Sequence, residues 1–111
     1  MDLDRVKETF IKHALIHEET EETGNYRRGN KSSKILFTLF EKIKRDPVNG
    51  PIIVDNLLNE TNPSVLIWTS VISIQMNHRK KHSIAILRRL SKDHSIGQQR
   101  FNAKMTLREF G

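Results

Sequence analysis

The amino-acid sequence predicts an all-α protein of about six helices in three antiparallel pairs. Apolar residues recur at helical spacing in every segment between turn signals, which is typical of amphipathic helices. No segment shows the strict apolar–polar alternation, bounded by hairpin turns, that a half-buried strand would need. The 111 residues suffice for one domain, and the short links between segments favour antiparallel neighbours.

The first two predicted helices cover residues 2–22 and 26–44. Gly24 follows the first helix directly and provides its stop signal. Gly29 and Ser32 stand early in the second helix, and their small side chains would let the neighbouring helix come close. The apolar stripes are Leu3, Val6, Phe10, Ala14 and His17 in the first helix and Leu36, Leu39, Phe40 and Ile43 in the second.

The third and fourth predicted helices both start with proline, which is suited to the first position of a helix. The third begins near Pro51, and the fourth covers residues 63–76, with Asn62 as its N-cap. The fourth helix is apolar nearly all round, so we expect it to be central and buried. Trp68 is its largest core candidate.

The fifth and sixth predicted helices cover residues 80–92 and 96–110, with Ser95 as the N-cap of the sixth. We expect Phe101 to join Trp68 in the core. The apolar positions of these helices are Ile84, Ile86, Leu87, Leu90, Phe101, Ala103, Met105 and Leu107.

A shift of 33 residues superimposes the third and fourth helices on the fifth and sixth. It places Trp68 on Phe101 and the cap residue Asn62 on Ser95. Any two amphipathic helix pairs align at some offset, but the matching caps favour a true repeat of the α-solenoid type. We therefore expect two repeat-like units, 47–77 and 78–111, and a divergent helix pair, 1–46, that caps the stack.

Three stretches of the chain resemble a bacterial family of short, HEAT-like helical proteins that forms a domain of unknown function. The stretches are Gly24-Asn25-Tyr26-Arg27-Arg28-Gly29-Asn30-Lys31, Asn62-Pro63-Ser64-Val65-Leu66-Ile67-Trp68 and Phe101-Asn102-Ala103-Lys104-Met105-Thr106-Leu107. The resemblance implies a HEAT-like α–α superhelix. Because family members are similar to proteins of toxin–immunity loci, it also implies neutralisation of a toxin by binding. The basic charge of this chain departs from the acidic immunity proteins that act on basic nucleases, which disfavours a nuclease as the toxin.

The formal net charge of +6 is unevenly distributed along the chain. Residues 1–23 carry 3 basic and 7 acidic side chains, whereas residues 24–46 carry 7 and 2. Residues 47–77 carry no basic and 2 acidic side chains, and residues 78–111 carry 9 and 2. The unbalanced positive charge at the C-terminal end is therefore the first place to expect a partner surface.

Four carboxylates crowd the end of the first helix: Glu18, Glu19, Glu21 and Glu22. A helix C-terminus disfavours negative charge, so these groups need compensation. We expect intramolecular pairing with the basic residues that follow, which are Arg27, Arg28 and Lys31. The functional alternative is a partner-binding patch formed by Glu19, Glu22, Tyr26, Arg27 and Arg28, since Tyr and Arg are common interface anchors.

Two basic stripes mark the last two helices. Arg88 and Lys92 share a face of the fifth helix, and Arg100, Lys104 and Arg108 follow one another at spacings of four on the sixth. These five residues are partner-binding candidates, and they would suit a protein surface or a nucleic-acid phosphate backbone. The plain alternative is a polar outer face on a terminal repeat, which prevents further stacking.

The sequence contains no recognisable catalytic or cofactor-binding motif. With no cysteine, a thiol nucleophile and a cysteine-ligated zinc are excluded. No serine lies in a Gly-x-Ser-x-Gly turn, and no glycine-rich phosphate loop is present. We expect no enzymatic activity and no cofactor.

Two histidine pairs have the spacing of four that can hold a metal on one helix face: His13 with His17, and His78 with His82. Neither pair has the general-base glutamate of the metalloprotease motif, nor an evident third ligand. Exposed or capping histidines are the favoured interpretation, with His17 as a hydrogen-bonded histidine of the core. We therefore expect no metal site.

No segment is long and apolar enough to anchor the chain in a membrane, and the N-terminus is acidic where a signal peptide would be basic. We expect a cytoplasmic protein. Its expected function is non-enzymatic binding of a protein partner, in particular an immunity-type role against a toxin. The alternative is a basic α-solenoid that binds nucleic acid through residues 78–111.

Overall fold

A computed structural model describes residues 2–111, and this part of the chain forms six α-helices and no strand. The helices are α1 (Leu3–Thr23), α2 (Tyr26–Arg45), α3 (Asn49–Leu58), α4 (Pro63–Met76), α5 (Lys80–Ser91) and α6 (Gln98–Phe110), with a short 3-10 turn (His94–Ile96) before α6. The predicted fold class, all-α with about six helices, is confirmed.

Side-chain caps explain where α1 and α4 begin. The Asp2 carboxylate accepts a hydrogen bond from the Arg5 amide, and the Asn62 side chain accepts one from the Val65 amide. These bonds satisfy amide groups that have no partner within the helix. α1 ends at Gly24, whose φ of +74° is a left-handed conformation that glycine adopts without strain. The predicted bounds of α1, α2 and α4 agree with the structure within one residue.

The start of α6 differs from the prediction. Ser95 does not cap α6, because it lies in the 3-10 turn, where its amide and hydroxyl both donate to Asp93 Oδ1. The chain then turns at Gly97, with φ of +59° and ψ of −129°, a conformation open essentially to glycine alone. α6 therefore begins at Gln98, and the predicted match between Asn62 and Ser95 as caps is wrong.

α1 and α2 form an antiparallel pair in close contact. Phe10 near the start of α1 stacks on Phe40 near the end of α2, at 6.0 Å between ring centroids. At the other end, a Cβ atom on Gly29 would lie 2.6 Å from Thr20 Oγ1, so only glycine allows this approach. The prediction that small residues in α2 let its neighbour come close is confirmed.

α4 is the central helix, in contact with α1, α2, α3, α5 and α6. Two of its buried serines are hydrogen-bonded to neighbouring helices: Ser64 Oγ donates to the Ala14 carbonyl at 3.0 Å, and Ser73 Oγ accepts from Ser83 Oγ of α5 at 2.6 Å. The predicted central, buried position is confirmed. The largest fully buried apolar side chains around α4 are Phe10, Leu36, Ile43, Ile53, Leu57, Leu66, Ile72, Leu87 and Leu90.

Candidate functional site

An aromatic groove lies between α1, α4 and α6. We define it by Trp68 and Val71 on α4 and by Phe101 and Met105 on α6. Its volume is about 290 Å³, which suits the side chains of a partner better than a drug-sized molecule. It is also lined by His17, Glu21, Ile67, Gln99, Asn102 and Thr106.

Trp68 joins the groove to the hydrophobic core. Its ring meets the edge of Phe40, a core residue, at 5.7 Å, and that of Phe37 at 5.6 Å. Phe37 is 55% exposed on α2, so it extends the apolar surface beyond the groove. Trp68 is thus half-buried, and its expected place wholly within the core is corrected: one side of the ring packs inward and the other faces the groove.

Phe101 and Met105 are 55% and 42% exposed, so the expectation that Phe101 is a core residue is wrong. The inner face of α6 is formed instead by Gln99 and Ala103, which are buried. α6 is the last described helix, and its outer face carries exposed side chains. The apolar pattern of α6 was visible in sequence, but its spacing does not tell a covered face from an open one.

Polar groups close the groove at its α1 end. Asn102 Nδ2 donates to both oxygens of Glu21, at 2.8 and 3.1 Å, and Gln99 Nε2 donates to Glu21 at 3.4 Å. His17 Nδ1 lies 3.1 Å from Glu21 Oε1, and the His17 ring meets the edge of Trp68 at 5.2 Å. Burial raises the pKa of Glu21, but the contacts with His17, Asn102 and Gln99 lower it by more, so the carboxylate stays ionised.

The carboxylates at the end of α1 mostly have other partners than the basic residues that the sequence predicts. Of the expected ion pairs, the described structure contains Arg28 with Glu19, at 3.7 Å between Nη1 and Oε2. The carboxylates that turn inward use amide donors from distant segments, since Asn62 Nδ2 donates to Glu18 Oε2 at 3.0 Å and Asn102 holds Glu21. Helix contacts separated by tens of residues decide these partners, and local spacing could not reveal them.

The predicted patch at the turn between α1 and α2 is present at the surface. Glu19, Glu22, Tyr26, Arg27 and Arg28 are all exposed, with Tyr26 at 77%. The patch offers polar contacts and one aromatic ring.

The five predicted basic candidates lie on α5, on α6 and just after α5. Arg88, Lys92, Lys104 and Arg108 are exposed, and Arg100 is half-buried with Nη1 at 2.7 Å from His94 Nδ1. Within residues 2–111, none of the five has a carboxylate oxygen within the ion-pair distance of 4.0 Å. α5 and α6, which carry or adjoin these residues, pack against each other.

The histidine pairs do not face common ligands. His13 bonds to Ser32 Oγ at 3.2 Å, while His17 faces Glu21 and Trp68. Burial, followed by Lys12 and Lys31, lowers the pKa of His13. His82 is exposed. Over residues 2–111, no group of three or more His, Asp and Glu side chains is placed to hold a metal.

A polar pocket of about 270 Å³ lies between α3 and the start of α5. Asp55 Oδ1 accepts a hydrogen bond from Arg79 Nε at 3.0 Å and lies 2.8 Å from His78 Nε2. The hydrogen bond from Arg79 is the main cause that lowers the pKa of Asp55. Both contacts are made to Oδ1 of Asp55. The pocket is lined by Asp55, Leu58, Asn59, Arg79 and His82.

Comparison with known proteins gives no match among protein-family models, curated proteins or solved structures. No helix in the described part of the chain is both long and apolar enough to cross a bilayer.

Proposed function

We propose that this chain is a non-enzymatic protein-binding module that captures its partner in the aromatic groove. The observation that carries the proposal is the contiguity of exposed apolar side chains around Trp68. Isolated exposed residues such as Val48 and Ile52 are ordinary on a protein surface, whereas a continuous apolar groove marks an interaction site. Aromatic and methionine side chains are also the apolar types most enriched at interfaces.

The ionisable groups support binding over catalysis. General acid catalysis at neutral pH needs a carboxyl with a raised pKa. Among the described carboxyls with an altered pKa, every one is lowered, which keeps it ionised as a hydrogen-bond acceptor: Glu21, Glu41, Asp46, Asp55 and Asp93.

The particular form of the proposal is an immunity-type protein of the bacterial cytoplasm that neutralises a toxin. The family resemblance supports this form, as does an all-helical architecture in which successive helices pack as pairs. In this proposal the three pairs form a HEAT-like superhelix, with residues 1–46 as its cap and residues 47–77 and 78–111 as repeat-like units. The groove then belongs to the binding surface that such stacks use.

Co-expression with the product of the neighbouring gene tests the proposal. We expect the chain to form a complex with a toxin encoded there and to restore growth of the cells. Phe101→Ala should weaken the complex at least about tenfold, as expected for an interface anchor. Tyr26→Ala, at the turn between α1 and α2, should leave it unchanged.

Two outcomes would count against the proposal in different ways. No complex and no growth rescue would remove the immunity role. A complex weakened by Tyr26→Ala and unaffected by Phe101→Ala would move the binding surface from the groove to the α1–α2 turn.

Nucleic-acid binding is the second candidate, and the unpaired cations of residues 78–111 favour it. Phosphate contacts give an affinity that falls steeply with salt, so titration with duplex DNA and with RNA at about 50 mM salt is the most sensitive test. If phosphates are bound, the double variant Lys104→Gln and Arg108→Gln should make the slope of log affinity against log salt concentration shallower. The change should correspond to the loss of about two phosphate contacts. Lys12→Gln, in the acidic first helix, serves as the control. No binding at low salt removes this candidate.

A further inference from the structure

We propose that the occupant of the aromatic groove is an acidic amphipathic helix, a proposal that rests on the protein-binding function above and specifies its partner. The proposal is based on the arrangement of side chains on α6, where Phe101 and Met105 alternate with Lys104 and Arg108 along one exposed face. These residues stand at i, i+3, i+4 and i+7, the spacing with which one helix contacts another.

The two cations of this face are available to a partner. In the described chain, neither Lys104 nor Arg108 has a carboxylate within ion-pair distance. Both stand beside the exposed apolar side chains, so a partner that covers Phe101 and Met105 brings its own flanking residues next to these charges. Carboxylates at those flanking positions would complete two ion pairs across the interface.

The carboxylate that lines the groove keeps its charge but is turned toward donors of the protein itself. Glu21, the one carboxylate that lines the groove, has both oxygens engaged by Asn102. Glu109 lies on α6 but outside the i, i+3, i+4, i+7 stripe. The excess of 9 basic over 2 acidic residues in positions 78–111 also attracts a negatively charged partner over longer distances.

The spacing of the cations specifies the partner further. Lys104 and Arg108 are one helical turn apart, so two carboxylates at i and i+4 of a helix laid along α6 can reach both. The described chain has no strand edge to which a partner strand could be added. Docking of a helix in the groove is the recognition mode that fits the i, i+3, i+4, i+7 spacing of the exposed face. The apolar face of that helix would meet Phe101, Met105 and Trp68.

The protein contains a single tryptophan, so Trp68 reports occupation of the groove directly. We would titrate the full chain with three synthetic helical peptides that share one leucine-rich face. They carry Glu, Gln or Lys at two flanking positions four residues apart. We expect the Glu peptide to change the Trp68 emission saturably and to bind about tenfold more tightly than the Gln peptide, with the Lys peptide weakest.

Charge reversal provides the matched control. The double variant Lys104→Glu and Arg108→Glu should invert the preference, so that the Lys peptide binds most tightly. Lys12→Glu with Lys81→Glu changes the net charge equally at exposed positions outside the groove, and should keep the preference for Glu. Circular dichroism verifies that each variant keeps its helical content.

The outcomes separate this inference from the function on which it rests. Equal binding of the three peptides, lost in Phe101→Ala, would overturn the acidic preference and leave groove binding intact. A preference for Glu that survives in Phe101→Ala and Met105→Ala would show attraction by charge alone, and would overturn the groove as the docking site. No change in Trp68 emission with any peptide would overturn the acidic helix, while the co-expression experiment would still decide the protein-binding function.

Discussion

α4 and α6 occupy corresponding positions when the sequence is shifted by 33 residues, but the two helices differ in how far they are buried. α4 contacts five other helices, whereas the outer face of α6 is open to solvent. Ile72 of α4 is fully buried and its counterpart Met105 is 42% exposed. Similar apolar patterns thus form a buried helix in one case and an accessible surface in the other, because α4 packs against more helices than α6 does.

Substitution of Ile72 and of its counterpart Met105 should give the largest difference in unfolding free energy. Ile72→Ala truncates a fully buried side chain and leaves a cavity in the core. It should lower the unfolding free energy by about 2–5 kcal/mol. Met105→Ala should cost less than about 1 kcal/mol, because its side chain is exposed. Urea denaturation followed by circular dichroism measures both values, and equal losses would show that α6 is as integral to the core as α4.

The pair of aromatic residues should give an intermediate contrast. Trp68→Ala should cost about 2–3 kcal/mol, below the value for a fully buried ring, because one side of Trp68 faces the groove. Phe101→Ala should cost less than about 1 kcal/mol. The same denaturation experiment applies, and a loss above about 3 kcal/mol for Phe101→Ala would restore the sequence-based expectation that it is a core residue.

Comparison of Ser70 with its counterpart Ala103 predicts a substitution that stabilises the fold. Ser70 is fully buried, and its hydroxyl has no hydrogen-bond partner among the described residues, while its counterpart Ala103 carries no polar atom. Burial of an unsatisfied hydroxyl costs about 1–3 kcal/mol. Ser70→Ala should therefore raise the unfolding free energy by about 1 kcal/mol in thermal or urea denaturation. Destabilisation would mean that the Ser70 hydroxyl has a partner.

Loss of the contact between Glu21 of α1 and Asn102 of α6 should give the smallest change in unfolding free energy. This change should also depend on pH. The folded-state pKa of Glu21 is lowered, so its stabilising contribution is fully present above the ordinary glutamate pKa of about 4.3 and is lost as the pH falls through the folded value. Glu21→Gln should lower stability at pH 7 by up to about 1 kcal/mol, and the difference from the unaltered chain should shrink as the pH falls below about 4.3. A difference that grows on acidification would contradict this sign.

The fold could be predicted from the sequence because its signals are local. Asn62 and Pro63 mark the start of α4, Gly24 marks the end of α1, and the apolar stripes repeat within each helix. The start of α6 was mispredicted because Ser95 donates to Asp93 instead of accepting from an amide of α6, and this choice depends on the turn that the chain makes at Gly97.

The groove could not be predicted, because exposure depends on which helices pack against α6. The sequence assigns Phe101 to the core by analogy with Trp68, and nothing in its spacing shows that its face lacks a covering helix. The basic candidates Lys104 and Arg108 were found from charge and spacing alone. Their relation to the groove follows only from the structure, in which they share the exposed face of α6 with Phe101 and Met105.

Binding of the Glu peptide to Phe101→Ala and to Tyr26→Ala, followed by Trp68 emission, tests the central claim most directly. The two variants each remove one exposed aromatic ring, one in the groove and one at the α1–α2 turn. We predict that Phe101→Ala weakens binding at least about tenfold and that Tyr26→Ala leaves the affinity unchanged. Equal affinities of the two variants, or a loss confined to Tyr26→Ala, would contradict the assignment of the groove as the binding site.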